Sequence, residues 1–296
     1  MLGLGIMGSA MAGNLMRAGF RVVGYDPVAA CRRRHARAGG LPVPSAGAVA
    51  RAADVIIASL PSSAALASVA KEIAGRKLVI ETSTLPIADK ERARKALAAR
   101  GAVLLDCPLS GTGAQARVKD LVVYASGDRA AFRRVEPVLR GFSRGHYYLG
   151  GFGNGSKMKF AANLLVAIHN ISSAEAVLLA RRAGLDPATA VRVLGDGAGA
   201  SRMLQVRGPL MVRRAWRPAT VTNRVFQKDM KIIGEFVRSL GSPAPLFAAS
   251  KAVYRAAMRE GYGDADTAAV AAVLERSARR PRRGRLRAGQ RRGKPR

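Results

Sequence analysis

The chain has 296 residues, of which 49% are hydrophobic, so it can form one large domain or two ordinary ones with a sizeable core. Its two cysteines, Cys31 and Cys107, form no C-x-x-C pair, which argues against a disulfide framework or a structural zinc site and favours a reducing, cytoplasmic compartment. The formal net charge is +31, and residues 276–296 contribute eleven Lys or Arg and no acidic residue.

Residues 279–296 are predicted to form a disordered basic tail, because Pro, Gly and Arg with almost no apolar residues cannot bury a core. Such a tail could bind nucleic acid or a membrane surface. No aromatic side chain interleaves its charges, so nucleic-acid binding is the less favoured interpretation. No apolar run in the chain is both long enough and sufficiently free of charge to span a bilayer, and we expect a soluble protein.

Apolar strands alternate with helical segments over the first 150 residues. A helical pattern over 9–20 ends at Gly19, a natural C-cap. Strands are predicted at 21–26, 54–61, 77–84, 102–108, 121–127 and 145–150, with helices at 30–39, 88–101 and 129–142. This alternation predicts an α/β fold, a doubly wound parallel sheet of the Rossmann type with helices on both faces.

The pattern becomes almost entirely helical after Gly150. A long helix is predicted over about 156–183, and Asp186 and Pro187 are a typical N-cap and first helical residue. Further helices are predicted at 226–241, 246–261 and 264–278. We therefore expect a dinucleotide-binding domain over 1–150, an all-α domain over 151–278 that starts on the long interdomain helix, and the tail at 279–296.

The chain opens on a glycine-rich turn. Gly3, Gly5 and Gly8 fit the pattern G-x-G-x-x-G, which lets backbone amides approach a pyrophosphate at a helix N-terminus. Asp26 follows Gly8 by 18 residues, where a carboxylate can bind the adenosine ribose; the alternative is a plain turn with a capping Asp. A carboxylate repels a 2′-phosphate, so NAD is favoured, and the arginines at 32–34 leave NADP as the alternative. The predicted cofactor-binding residues here are Gly3, Gly5, Ile6, Met7, Gly8 and Asp26.

A strand should deliver the backbone into this turn, yet only Met1 and Leu2 precede Gly3. That strand would lie centrally in the sheet, beside the phosphate site. The sequence therefore suggests a truncated first strand, and we expect the natural start to lie upstream of Met1.

Three further stretches, 81–86, 106–116 and 153–165, match known motifs in order. Together with the opening turn they resemble the β-hydroxyacid dehydrogenase family, which includes 3-hydroxyisobutyrate dehydrogenase, tartronate semialdehyde reductase and L-threonate dehydrogenase and is related to 6-phosphogluconate dehydrogenase. The resemblance runs from residue 2 to about residue 276. It implies a cytoplasmic NAD(P)-dependent enzyme acting on a small hydroxyacid, assembled as a homodimer or homotetramer.

The resemblance assigns catalysis to a lysine in the pattern G-x-G-x-x-x-K-x-x-N-N. Lys159 and Asn163 fit this pattern and lie on one helix face, four residues apart, whereas Lys157 points elsewhere. A general base must take the hydroxyl proton of the substrate, and a lysine can do so if burial lowers its pKa. Without the flanking motif, a solvated surface lysine would be the preferred interpretation.

Further residues are assigned through the resemblance alone. The turn Ser110-Gly111-Thr112 is expected to bind the substrate carboxylate, and Lys228 to lie near both substrate and nicotinamide. Leu60, Pro61 and Thr84 are expected to line the cofactor. The three histidines, His35, His146 and His169, are scattered, and no metal site is expected.

The sequence departs from the family pattern at four positions. Thr112, Gln115 and Lys119 stand where glycines are expected, and Ala162 replaces the first Asn. Thr112 narrows the carboxylate turn or adds a hydroxyl to it, and Lys119 brings a cation that suits a more acidic substrate. These changes leave the substrate open. They also leave an alternative function, an NAD(P)-binding module that lacks this catalysis.

Overall fold

The computed structural model describes residues 1–279; residues 280–296 of the predicted basic tail lie outside the described residues. The strands in the described part are β1 (Val23–Gly24), β2 (Leu41–Pro42), β3 (Val55–Ala58), β4 (Leu78–Glu81), β5 (Val103–Asp106), β6 (Leu109–Ser110), β7 (Val122–Ala125) and β8 (Gly145–Tyr148). The helices are α1 (Ile6–Arg17), α2 (Ala29–Arg37), α3 (Ala46–Ala52), α4 (Ser63–Glu72), α5 (Ile87–Ala98), α6 (Gly113–Arg117), α7 (Arg129–Phe142), α8 (Asn154–Arg182), α9 (Pro187–Asp196), α10 (Arg202–Arg213), α11 (Asn223–Ser239), α12 (Pro245–Arg259) and α13 (Val270–Arg279).

The residues before the glycine turn lie at the centre of the parallel sheet. Leu2 forms parallel bridges with both Tyr25 and Ala58, so it lies between β1 and β3. β2 pairs with β1 on one side, and β4 and β5 follow β3 on the other, all in parallel register. The glycine turn therefore opens at the carboxyl edge of a doubly wound sheet, as the sequence predicts.

The otherwise parallel sheet contains one antiparallel pair, β6 with β7, that the sequence analysis did not predict. Leu109 of β6 pairs antiparallel with Val123 of β7, and an antiparallel bridge joins Asp106 to Ser126. Only the short helix α6 separates β6 from β7, and an antiparallel pair does not need the long crossover that a parallel pair requires. Parallel pairing resumes between β7 and β8, which the 14-residue helix α7 connects.

The long helix α8 is the centre of the helical layer. Its 29 residues span about 44 Å, and it packs against α10, α11, α12 and α13. By length and composition alone α8 could cross a membrane. However, Phe160, Ile171 and Val177 on this helix are buried in a core shared with the neighbouring helices, which is the packing of a core helix in a soluble protein.

The helical half follows the sequence prediction, with shifted helix bounds and one missed helix. The cap at α9 is confirmed, since Asp186 accepts a hydrogen bond of 2.8 Å from the Thr189 amide and Pro187 is the first helical residue. α8 begins two residues earlier than predicted. The predicted helix over 264–278 instead begins as a 3-10 turn at Thr267–Ala269, because Asp266 accepts from the Ala268 amide at 3.0 Å. The sequence analysis missed α10.

The core of the helical layer contains a compensated charge pair. Arg207 on α10 forms a buried ion pair with Asp266, whose second carboxylate oxygen accepts a 2.8 Å hydrogen bond from the Thr220 amide. Near the surface, Arg214 at the end of the same helix pairs with Glu275, and its side chain is 56% exposed.

We expect Arg207→Met to reduce the free energy of unfolding by about 3–5 kcal/mol, because it leaves the Asp266 carboxylate buried without its counter-charge. Arg214→Met is the matched control and should cost less than about 1 kcal/mol, since water screens the exposed pair. Urea unfolding at pH 7 measures both values. If both variants lost the same free energy of unfolding, burial would not control the contribution of the ion pair.

Candidate active site

The glycine turn is shaped by close backbone contacts. Gly3 has a φ of +86°, and a Cβ there would lie 2.2 Å from the Ser59 carbonyl oxygen. A Cβ on Gly8 would lie 2.0 Å from the Gly3 carbonyl oxygen. In the described part of the chain no atom lies within 4 Å of a Cβ built on Gly5, so that position faces open space at the start of α1. The turn therefore has the free approach that a dinucleotide pyrophosphate needs.

The Asp26 side chain is hydrogen-bonded to this turn. Its Oδ2 accepts a 2.8 Å hydrogen bond from the Leu4 amide, and its Oδ1 accepts one of 2.8 Å from the Val28 amide. The Arg32 guanidinium donates to the Asp26 carbonyl oxygen at 2.6 Å. Asp26 thus joins the glycine turn to the residues before α2 through backbone amides, although it is not the N-cap of α1 or α2, and ribose binding by its remaining lone pairs stays a prediction.

The other predicted cofactor residues surround the turn. Leu60 and Pro61 follow β3, and Thr84 follows β4, at the same carboxyl edge of the sheet. Ile6 is largely exposed at the start of α1, and Met7 is half-buried against the core. A groove of about 540 Å³ runs along the outer face of α1 and has Arg17, Arg34 and Arg117 among its lining residues. Sequence analysis did not predict this basic groove.

Lys159 and Asn163 are buried together on α8. Lys159 is only 8% exposed, and burial lowers its pKa to about 8. The Lys228 ammonium also lowers this pKa, whereas the Asp229 carboxylate raises it. Asn163 donates a 3.1 Å hydrogen bond from Nδ2 to Oδ2 of Asp229. Lys157 is exposed and its Nζ donates to Asn154 at 3.1 Å, so it points away from this group as predicted.

Lys228 connects the two halves of the chain at this point. Its Nζ donates to the Thr84 carbonyl oxygen at 2.7 Å and lies 3.4 Å from Oδ1 of Asp229. The structure therefore brings together residues from three distant parts of the sequence: Thr84, the pair Lys159 and Asn163, and Lys228. The result is a partly buried polar cluster between α8, α11 and the loop after β4.

Asp229 is the member of this cluster that sequence analysis missed. Burial raises the pKa of its carboxyl group, against the lowering effect of the Lys228 and Lys159 ammonium groups. Within residues 1–279 its buried Oδ1 has no hydrogen-bond partner, so it could accept a hydrogen bond from a ligand. The sequence signal that could have identified Asp229 was its position directly after Lys228.

The predicted carboxylate turn is partly occupied by its own side chains. Thr112 caps α6, and the Gln115 side chain accepts a 3.0 Å hydrogen bond from the Thr112 amide. Ser110 is half-buried at the end of β6, and Gly111 has a φ of +136°. Lys119 keeps a φ of +62°, the left-handed conformation that glycine adopts more easily. The side chain at 115 thus builds a capping box at a position where the family pattern has glycine.

The described residues contain no group of three or more His, Cys, Asp or Glu side chains that could hold a metal ion. The side chains gathered here could exchange a proton at Lys159 and make hydrogen bonds through Asn163, Asp229 and Lys228.

We expect Asp229→Asn to lower the pKa of Lys159 below about 8, because the variant removes the carboxylate charge that favours the ammonium form. Lys228→Met should shift this pKa in the opposite direction, since a like charge is removed. The pH dependence of Lys159 acetylation, followed by mass spectrometry, measures both, with exposed Lys157 as internal reference. Shifts of the same sign would show that conformation, rather than charge, controls the group.

Comparisons with known proteins agree with this geometry. Family models for the NAD binding domain of 6-phosphogluconate dehydrogenase and for the NAD-binding of NADP-dependent 3-hydroxyisobutyrate dehydrogenase match residues 1–150 and 153–274. The chain is 32% identical to L-threonate dehydrogenase of Cupriavidus necator, covering 92% of this chain and 94% of the relative, and 31% identical to 2-hydroxy-3-oxopropionate reductase of Escherichia coli, covering 93% and 96%. A solved 3-hydroxyisobutyrate dehydrogenase from Salmonella typhimurium superimposes with a TM-score of 0.83 at 29% identity, covering 92% of this chain and 98% of that one. The chain therefore belongs to the β-hydroxyacid dehydrogenase family of NAD(P)-dependent oxidoreductases.

Proposed function

We propose that this protein oxidises the alcohol of a small hydroxyacid, or reduces the corresponding carbonyl, with Lys159 as the general acid and base. The observation that carries the proposal is the buried Lys159 ammonium, whose pKa of about 8 lies near physiological pH. A general base works best when its pKa is close to the operating pH. Roughly one Lys159 in ten is then neutral at pH 7 and able to accept a proton.

A bound nicotinamide supplies the hydride acceptor or donor. In the oxidative direction, neutral Lys159 takes the proton of the substrate hydroxyl at Nζ; in the reductive direction, the ammonium returns it to the carbonyl oxygen. The Asn163 Nδ2 already donates to Asp229, so its Oδ1 can accept from the substrate hydroxyl or from Lys159. Asp229 favours the protonated form of Lys159 and limits how far burial lowers the lysine pKa.

Binding of the substrate carboxylate is assigned to the turn at the end of β6. Ser110 offers its hydroxyl, and Gly111 its amide, while the Thr112 amide is shared with the Gln115 side chain. The Thr112 hydroxyl can donate to a substrate oxygen, because in the capping box it acts as an acceptor. Lys228, beside Thr84 and Asp229, would contribute positive charge near the substrate and the nicotinamide.

The cofactor would be held at the carboxyl edge of the sheet. The residues that would bind its pyrophosphate are Gly3, Gly5, Ile6, Met7 and Gly8, and those that would line its nicotinamide are Leu60, Pro61 and Thr84. Asp26 favours NAD over NADP through its negative charge, although the anchored Arg32 beside it is the feature that would favour NADP.

The chain is proposed to divide into a dinucleotide-binding domain at 1–150 and a helical domain at 151–278. The last sheet strand, β8, ends at Tyr148 and α8 begins at Asn154, which supports a boundary between them. We further propose a cytoplasmic homodimer or homotetramer. The exposed apolar side chains Met158, Leu165 and Leu179 on α8 are suited to contact a second copy.

The proposal is tested with L-threonate, 3-hydroxyisobutyrate and 2-hydroxy-3-oxopropionate, each with both cofactors, by following NAD(P)H absorbance. Lys159→Ala should lower kcat by roughly 10²–10⁴-fold, the usual contribution of a general acid or base. Lys157→Ala, on the exposed side of the same helix, is the matched control and should leave kcat unchanged. NADH and NADPH fluorescence titrations should give the same Kd for both variants and the unaltered protein.

Oxidation by the unaltered protein should accelerate as the pH rises through about 8, because Lys159 must be neutral to accept the proton. Full activity of Lys159→Ala would refute the role of this residue. Cofactor binding without turnover of any of the three substrates would leave the NAD(P)-binding module without this catalysis as the better description.

A further inference from the structure

Three fully buried charged side chains lie beneath the active-site edge of the sheet. The Lys90 ammonium on α5 is 2.6 Å from Glu81 Oε2 and 2.8 Å from Asp106 Oδ1, and all three side chains are 0% exposed. Burying such charges costs free energy, and a buried ion pair is a poor argument for stability on its own. Their role therefore has to be sought in their other contacts.

Asp106 binds the first turn of α8. Its Oδ2 accepts a 2.8 Å hydrogen bond from the Ser156 amide, and its Oδ1 accepts one of 2.8 Å from the Ser156 hydroxyl. The N-cap residue of α8 is Gly153, which has no side chain, so the first amides of the helix need acceptors from elsewhere. Ser126 Oγ accepts from the Gly155 amide at 2.9 Å. Side chains from the ends of the strands thus replace a local cap.

Gly155 allows this helix to meet the strands directly. A Cβ at Gly155 would lie 2.2 Å from the Tyr124 carbonyl oxygen and 2.7 Å from the Asp106 carbonyl oxygen. The first turn of α8 is therefore in contact with the backbone of β5 and β7. Lys159 follows Ser156 by three residues and Gly155 by four, so it lies on the same helix face, one turn further along.

The network also reaches the loops that line the proposed cofactor site. The free oxygen of Glu81, Oε1, accepts a 2.9 Å hydrogen bond from the Ser83 amide. Ser83 Oγ in turn accepts one of 2.8 Å from the Leu60 amide. One connected group of buried side chains therefore holds the Lys159 helix and the loops after β3 and β4.

We propose that Asp106, held by Lys90 and linked through it to Glu81, is a positioning residue for Lys159. It fixes the first turn of α8 on the sheet so that Lys159 enters the site in its buried position and in register with the loops at Leu60 and Thr84. The inference deepens the proposed function and rests on it for the role of Lys159.

Lys90 keeps its positive charge between Glu81 and Asp106. Burial by itself would lower the pKa of Lys90, but the charges of Glu81 and Asp106 and the hydrogen bonds that they accept outweigh burial and raise it. Lys90 therefore stays protonated at physiological pH, and its positive charge lies beside the carboxylate that binds the first turn of α8.

The test compares two buried serines on one helix. Ser156→Ala removes the hydroxyl bonded to Asp106, whereas Ser173→Ala, the control, removes a hydroxyl that donates only to the His169 carbonyl oxygen, within α8. The rate of Lys159 acetylation by acetic anhydride, measured by mass spectrometry from pH 6 to 11, gives the pKa and accessibility of Lys159 without need of a substrate. Thermal unfolding gives the loss of stability for each variant.

In Ser156→Ala we expect the Lys159 pKa to rise from about 8 towards the ordinary lysine value and its acetylation to accelerate, because the lysine gains access to water. With a hydroxyacid that is turned over, kcat should fall roughly tenfold, as expected for a displaced catalytic group, while the Kd for NADH is unchanged. Ser173→Ala should leave the Lys159 pKa, acetylation rate and kcat as they are.

If both variants lose similar stability and neither alters Lys159 labelling, the network is structural only and the proposal is overturned. If Ser156→Ala does not fold, Ser126→Ala tests the neighbouring contact, since the Ser126 hydroxyl joins Asp106 to the Gly155 amide in the same turn of α8, and the same shift is expected. Failure of the proposed function looks different: Lys159→Ala would then retain activity, whereas the labelling shift in Ser156→Ala would still report whether Asp106 positions the lysine.

Discussion

Burial of an ammonium group beside the carboxyl edge of the sheet is the constraint on which the site depends. Lys159 is removed from water by the packing of α8 against α11 and against the ends of the strands. Burial alone lowers the affinity of the amine for its proton, and the Asp229 carboxylate restores part of it. The balance of these effects leaves a lysine that can gain and lose a proton near neutral pH, which a surface lysine cannot do.

Lys90 is a second buried lysine, and its pKa is shifted in the opposite direction. Lys90 is buried as completely, but two carboxylates contact its ammonium group, and its pKa is raised rather than lowered. Lys90 is therefore a permanent charge that can organise acceptors, whereas Lys159 is a titratable one suited to proton transfer. The number of carboxylates within contact distance, and not burial, separates a structural lysine from a chemical one here.

The departures from the family pattern concentrate at the turn that is proposed to bind the substrate. Gln115 accepts from the Thr112 amide and donates to Asp120 at 3.1 Å, and Asp120 is 3.0 Å from Arg202 at the start of α10. A glycine at position 115 could make neither contact. The turn is thereby connected to the helical layer, and one of its amides is shared before any substrate binds. This arrangement bears on which hydroxyacid fits more than on the reaction itself.

Local patterns were sufficient for much of the structure. The glycine spacing, the apolar strands and the motif around Lys159 predicted the sheet order at the turn, most of the helices and the family, because these features depend on neighbours within a few residues. They missed β6, where strand pairing overrides local propensity, and the 3-10 turn before α13, where the Asp266 carboxylate accepts from the Ala268 amide. The missed helix α10 had a local signal, the Ser201 cap.

By itself, the sequence determined where a dinucleotide could bind and which lysine could act as a base, since both follow from short motifs. Only the tertiary structure decided that Lys159 is buried, that the Asp229 charge acts on it and that Asp106 binds the first turn of its helix. Those contacts join residues 50 or more positions apart, such as Asp106 with Ser156 and Asn163 with Asp229. The pKa of an amine depends on the charges and the solvent around it, and the folded chain alone brings them together.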